Sequence, residues 1–290
     1  MADRPRFGPA GFPPAFKRLK WPIDEISRYL HEEGLDAFEY QAVRWGLKPQ
    51  IKRENAEKLG FAAEKYDVWL SMHGSYFINL CGDEETIEKS KRRLIACVTA
   101  ANWMNAHIVV FHPGFYGKRE PEDALRTCIK AMEEVVEEIN SLGISRVALG
   151  PETTGKKSQL GSLDEILTLC EEVENTLPTI DWAHIHARED GKLKGEDDFR
   201  RVLDEIEKRL GAKAMRNLHC HYSRIEFTSK GEKRHHTMDE EEYGPSFEPL
   251  ASLIVELDMK PVIISESPIL DVDSKKMRDI FLAKLKKKHP

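Results

Sequence analysis

The chain has 290 residues, 40% of them apolar and 32% charged, with a formal net charge of −6. This length admits one barrel of about 250 residues or two smaller domains, and no window approaches the roughly 20 uninterrupted apolar residues of a membrane span. The acidic balance argues against a generally basic nucleic-acid coat, though not against a local basic face.

The N-terminal MADRPRFGPAGFPP lacks both the apolar core of a secretory signal and the Arg/Ser-rich amphipathic character of a transit peptide, so a cytoplasmic location is expected. Short apolar runs predict strands at Arg6–Gly11, Ala37–Gln41, Val68–Met72, Ile108–Phe111, Val147–Gly150, Thr179–Asp181, Met215–His221 and Pro261–Ser265. Amphipathic stretches between and after them predict helices at Asp24–Glu33, Glu84–Met104, Glu122–Leu142, Leu163–Glu174, Glu196–Leu210, Phe247–Leu257 and Asp273–Lys287. The second interval, around Ile51–Leu59, gives the weakest helical pattern. Eight continuous apolar strands alternating with helices fit a closed parallel (β/α)8 TIM barrel; an open doubly wound sheet shows the same alternation. No linker-like shift in composition divides residues 1–290, so a single domain is expected, with exposed segments at Asp239–Glu242 and Lys284–His289.

Cys81, Cys97, Cys128, Cys170 and Cys220 are scattered without a C-x-x-C pair, so neither a disulfide framework nor a thiolate zinc site is expected. The active face of such a barrel lies at the C-terminal ends of its strands. There the sequence places His73, His112, Glu152, Asp181 with His184, His221, and Glu266, while the loop after strand seven carries His235 and His236. Imidazoles and carboxylates without thiolates suit zinc or manganese in a hydrolytic centre, and a carboxylate can bridge two ions. A lone histidine at one strand end is more often a core or capping residue; six successive strands delivering such groups carry the inference. His31, His107 and His289 are expected to be structural or solvated. His219 shares the inward parity of His221, which is favoured because it lies nearer the strand's end; His186 and His236 stand as substitutes for their neighbours.

HGSYFINL at 73–80, FHPG at 111–114, D-x-x-H at 181–184 and the final SESP, in this order, resemble the endonuclease IV family of apurinic/apyrimidinic DNA endonucleases, within the xylose-isomerase-like barrel superfamily. The resemblance runs from Arg6 to Pro268. It implies two or three Zn2+ ions, with Mn2+ as the alternative. His73, His112 and Glu152 would hold one ion. Glu152 would bridge to a second held with Asp181, His221 and Glu266, and His184 and His235 would contribute to a third. Glu152 and Glu266 would be the catalytic carboxylates, and the substrate double-stranded DNA cut 5′ to an abasic site. The family's third site also uses an aspartate two positions before its loop histidine. Here that position is Lys233 before His235, or Arg234 before His236, neither of which can be a ligand; the third site is then weak, absent, or completed by Glu232 or a shifted residue.

Predicted loops on the strands' C-terminal side carry Lys17, Arg18, Lys20, Arg44, Lys48, Lys156, Lys157, Arg188, Arg224, Lys230, Lys233 and Arg234, while acid concentrates in helices as at Glu133–Glu138 and Glu171–Glu174. A basic catalytic face on an acidic body suits phosphate binding; charged loops that are merely solvated are the plainer explanation. By the resemblance Tyr76 and Phe77 would wedge into the DNA stack, with Arg44 in the matching second-strand loop; Trp45, Phe115 and Tyr116 are further candidates. No membrane contact or obligate protein partner is expected. The rival functions are a one-metal sugar isomerase or epimerase built on Glu152, Asp181, His221 and Glu266, and a non-catalytic abasic-DNA-binding relative. His73, His112, His184 and His235 argue for the nuclease, since one-ion sugar chemistry has no evident need of them.

Overall fold

The computed structural model describes residues 2–288; His289 lies outside them. The barrel strands are β1 (Arg6–Pro9), β2 (Ala37–Gln41), β3 (Trp69–His73), β4 (Ile108–Phe111), β5 (Ala148–Pro151), β6 (Thr179–Asp181), β7 (His219–Tyr222) and β8 (Val262–Ser265). All pair in parallel, β2–β3–β4–β5 forming one run and β6–β7–β8–β1 the other. Parallel bridges Ala10–Glu39 and Glu152–Thr179 join the two runs and close the ring. The fold is therefore the expected (β/α)8 barrel rather than an open sheet. Strands β4 and β8 are buried along their whole length, as parallel strands covered by helices must be.

Helix starts follow local chemistry. Asp83 accepts from the Thr86 N–H at 2.8 Å to begin Glu84–Trp103, and Ser162 with Glu165 forms a reciprocal capping box before Leu163–Glu172. The weak second interval is a full helix, Arg53–Lys65, which continues past the predicted end through Gly60. A side chain at Gly60 would come within 2.7 Å of the Met104 carbonyl oxygen, so the glycine allows two helices to approach rather than ending one. The predicted strand Met215–His221 needs correction: Ala212–Arg216 is helical and the strand begins at His219. Met215 and Leu218 are three residues apart, a spacing equally apolar in a helix. Several other strand ends differ from expectation by one or two residues.

Two elements after the strand ends were not anticipated. Trp182–Arg188 forms a short helix directly after β6, and Arg224–Thr228 pairs antiparallel with Gly231–His236 in a hairpin after β7. Both bring groups over the barrel mouth. No helix among the described residues is long and apolar enough to cross a membrane, and all five cysteines are free.

Candidate metal centre

Register delivers the central side chains together. In the β6–β7–β8 run Asp181 sits beside His221, and His221 beside Ile264, two residues before Glu266. Glu152 follows β5 directly, and its side chain is fully buried at the barrel axis. Its Oε1 lies 3.1 Å from His221 Nδ1 and 3.3 Å from His184 Nδ1; its Oε2 lies 3.1 Å from His112 Nε2 and 3.3 Å from His73 Nε2. Ligand atoms fall into four groups close enough to hold an ion, three of them at the strand ends: His73–His112–Glu152; Glu152–Asp181–His221–Glu266; and His184–His235–Glu266; the fourth, Glu39–His219–His221, lies inside the barrel. The eight residues expected as ligands therefore lie together at the mouth, and Glu266 stands beside His184 and His235 as well as in the second group.

The donor chemistry fits cations. His73 Nδ1 is 2.9 Å from the Gly74 carbonyl, which requires Nδ1–H, so Nε2, aimed at Glu152, is the nitrogen a neutral ring would offer an ion. Glu152 Oε2 is buried without a hydrogen-bond partner. Asp181 divides its two oxygens: Oδ1 accepts the His184 N–H at 2.7 Å and caps the short helix, while buried Oδ2 has no hydrogen-bond partner. A divalent ion satisfies such orphaned acceptors.

The buried groups hold one another charged. Burial alone would raise Glu152, but the imidazoles of His221 and His112 hold it well below the ordinary carboxylate range. Burial likewise opposes charge on His73, His184 and His221, yet adjacent carboxylates hold all three above the ordinary imidazole value. Asp181 goes the other way: burial keeps its carboxyl raised despite His184.

The hairpin explains the absent aspartate. Glu226 pairs with Arg234 but Phe227 with Glu232, so Lys233 is the extra residue of a bulge. One inserted residue exchanges faces, and Glu232, three positions before His235, joins it in lining the mouth. Glu232 Oε2 lies 3.2 Å from His184 Nε2 and is buried without a hydrogen-bond partner. Burial opposes its ionisation, but His184 and His112 keep it below its ordinary value. Gly155 makes room, since a side chain there would meet this oxygen at 2.5 Å. Lys233 turns outward to Glu226, 2.5 Å away.

The mouth is a cavity of about 400 Å³ lined by Tyr76, Phe115, Lys156 and Glu232 with the histidines and Glu266. Tyr76 and Phe77 are 56% and 59% exposed, Phe115 is 42% exposed, and Arg44 is also exposed, so these four are accessible to a substrate. Trp45, by contrast, is buried, and the half-buried Tyr116 donates its hydroxyl to Glu165 at 2.7 Å; neither is a free wedge. Arg188 donates to the Lys156 and Gln159 carbonyls, and Arg224 to those of Met238 and Tyr243, so both pin loops rather than present free charge. His186 and His236 are turned away: His186 packs on Phe227, and His236 bonds Glu240 at 2.8 Å and stacks on Tyr243. His31 is exposed. A larger cavity, about 500 Å³, opens at the strands' opposite end, where His107 bonds the Leu70 carbonyl. Its lining has no carboxylate, and burial lowers His107 to about 3, whereas the paired imidazoles and carboxylates lie at the smaller cavity.

A closed parallel barrel with clustered imidazoles and carboxylates at its strand ends defines the structural class. The chain belongs to the xylose isomerase-like TIM barrel family, whose model matches residues 27–282. It is 34% identical over 269 residues to an uncharacterised protein of Methanocaldococcus jannaschii, covering 92% of this chain and 93% of that one. It is also 24% identical over 193 residues to a probable endonuclease 4 of Persephonella marina, covering 64% and 66%. Among solved structures, endonuclease IV from Thermus thermophilus superposes with a TM-score of 0.66 at 20% identity, covering 91% and 94%. A D-tagatose 3-epimerase-like protein gives 0.65 at 18%, with the same coverage. At these identities the two structures attest the fold alone.

Proposed function

We propose that this chain is a metal-dependent phosphodiester hydrolase of the endonuclease IV type, cleaving double-stranded DNA 5′ to abasic sites. The observation that supports the reading is the set of three ligand groups at the strand ends: His73, His112, His184 and His235 extend the cluster beyond the Glu152–Asp181–His221–Glu266 group that a one-ion epimerase would use. Two or three zinc ions, or manganese, suit a ligand set of imidazoles and carboxylates. Such ions would acidify water for attack on phosphorus and neutralise the attacking and leaving oxygens. Glu152 reaches into two of the groups and fixes their separation, while Glu266 joins the second to the third. Tyr76, at the rim with its ring 5.3 Å from that of His73, would stack against an unpaired nucleotide. Exposed Arg44 would meet the backbone.

The test is incision of an end-labelled duplex bearing one abasic analogue, in chelator and with zinc or manganese restored, alongside epimerisation of ketoses. Metal-dependent cleavage 5′ to the lesion supports the nuclease; intact DNA with turnover of a ketose would replace it with the epimerase reading. Intact DNA bound tightly by the metal-loaded chain, without ketose turnover, would instead indicate a non-catalytic relative.

In this reading Glu232 completes the third group in place of the family's aspartate. Glu232→Gln is then expected to bind one ion fewer per chain by mass spectrometry, whereas Lys233→Asp leaves the count unchanged because position 233 points outward. Equal counts in Glu232→Gln and the unsubstituted chain would remove Glu232 from the site.

A further inference from the structure

Below the ligand groups, inside the barrel, lies a carboxylate that no strand-end argument identifies. Glu39 sits in the middle of β2, fully buried, opposite Ser71 of β3. Its Oε1 accepts from Gln41 Nε2 at 3.1 Å. Its Oε2 accepts from Ser71 Oγ at 3.0 Å, His219 Nε2 at 3.1 Å and His221 Nε2 at 3.0 Å. Building on the metal-centre reading above, we propose that Glu39 is a positioning residue for the second ion. It holds His221 in the Nε2–H form, with Nδ1 as the one nitrogen offered to metal.

Glu39, His219 and His221 are close enough together to hold an ion themselves. Hydrogen-bond accounting decides otherwise. Both Glu39 oxygens already have donors, whereas Glu152 Oε2 and Asp181 Oδ2, in the groups above, have none. Glu39 therefore acts on a ligand, and the ligand is His221. A carboxylate only accepts, and both ring nitrogens of His221 face carboxylates; the one that gives up its hydrogen to an ion is the one beside the unpartnered oxygens of Glu152 and Asp181, so Nε2 keeps its hydrogen toward Glu39. The other nitrogen, Nδ1, lies 3.1 Å from Glu152 Oε1 and 3.4 Å from Glu266 Oε1, among the second group.

The other histidines set the contrast. His73 and His184 present Nδ1 to the backbone carbonyls of Gly74 and Thr153, and His235 presents Nδ1 to the Ser223 hydroxyl. Their hydrogen-bond partners at Nδ1 are neutral, though His184 Nδ1 also lies 3.3 Å from Glu152, and Nε2 of each faces a carboxylate. His221 is turned the opposite way and is oriented by a carboxylate, which makes an imidazole the stronger electron donor. Ser71 and Gln41 fix the carboxylate in turn, so the geometry of the second ion is built from β2 and β3 as well as β7.

The test uses the full chain stripped of metal and titrated with Co(II) against a competing chelator, with 15N spectra of the histidine side chains. In the unsubstituted protein His221 is expected to show a protonated Nε2 and a metal-shifted Nδ1. Glu39→Gln should weaken one ion by about 10- to 100-fold, the usual effect of losing such a partner, and alter one Co(II) absorption band while the others persist. Ser71→Ala, which loosens the carboxylate without removing its charge, should give a smaller loss in the same direction. Coordination of His221 through Nε2 would overturn the proposal without any variant, as would unchanged Co(II) affinity in Glu39→Gln. A chain that takes up no Co(II) would overturn the metal centre itself. Normal uptake without DNA incision would refute the nuclease and leave the role of Glu39 standing.

Discussion

Replacing Glu152 by Gln is expected to reduce incision of an abasic duplex at least about 10³-fold, the upper end of what one lost electrostatic stabiliser costs. Glutamine preserves the shape of the side chain and removes its charge. The Oε2 atom between His73 and His112 and the Oε1 atom facing His184 and His221 belong to the same carboxylate, so one substitution disturbs two ion groups at once. The metal count should fall with the activity. Incision of an end-labelled duplex and metal analysis of the same preparation check this together. A variant that retains its ions and cuts at a normal rate would show that Glu152 is not the bridge.

Removing the ions is expected to cost stability as well as activity. An ion present at a thousandfold over its dissociation constant, and bound only by the native state, adds about 4 kcal/mol. At roughly 2–4 °C per kcal/mol for chains approaching this size, chelation should lower Tm by on the order of 10 °C. The effect depends on pH in a definite direction. His73, His184 and His221 lie above their ordinary 6.5, so in the ion-free protein their protonated forms add stability that is complete below that value. This contribution is lost as pH rises through the raised values. Glu152 and Glu39 lie well below their ordinary 4.5, and their ionised forms add stability above it that is lost as pH falls through the depressed values. Ions take the deprotonated imidazoles and displace those protons, so their affinity rises with pH. The Tm difference between loaded and chelated protein should therefore widen between about pH 6 and pH 8, measured by calorimetry. A difference that narrows over this range would contradict the arrangement of charges described here.

Much of this was legible before folding. The alternation of apolar runs and amphipathic stretches depends on local periodicity, and a parallel strand buried on both faces declares itself as a continuous apolar run such as IVVF at 108–111. Because strand ends in this architecture face one mouth, His73, His112, Glu152, Asp181, His221 and Glu266 were identifiable as neighbours though distant along the chain. Glu39 escaped that search because it lies inside a strand. The available signal was a charged residue within the run AFEYQ at 37–41, which a buried strand retains only with partners.

What remained was decided by tertiary structure. Barrel closure depends on the bridges between β1 and β2 and between β5 and β6, which no single run encodes. The orientation of each histidine depends on which nitrogen meets a fixed acceptor, a contact made across the barrel between Glu39 and His221 and locally between His73 and Gly74. The role open to Glu232 rests on a bulge at Lys233, because one extra residue turns a strand's side chains to the other face. The sequence determined which chemical groups arrive at the mouth, since strand period and strand end are local properties. Which atoms of those groups face one another was left to the packed barrel, since register, bulge and tautomer are settled only by partners distant in the chain.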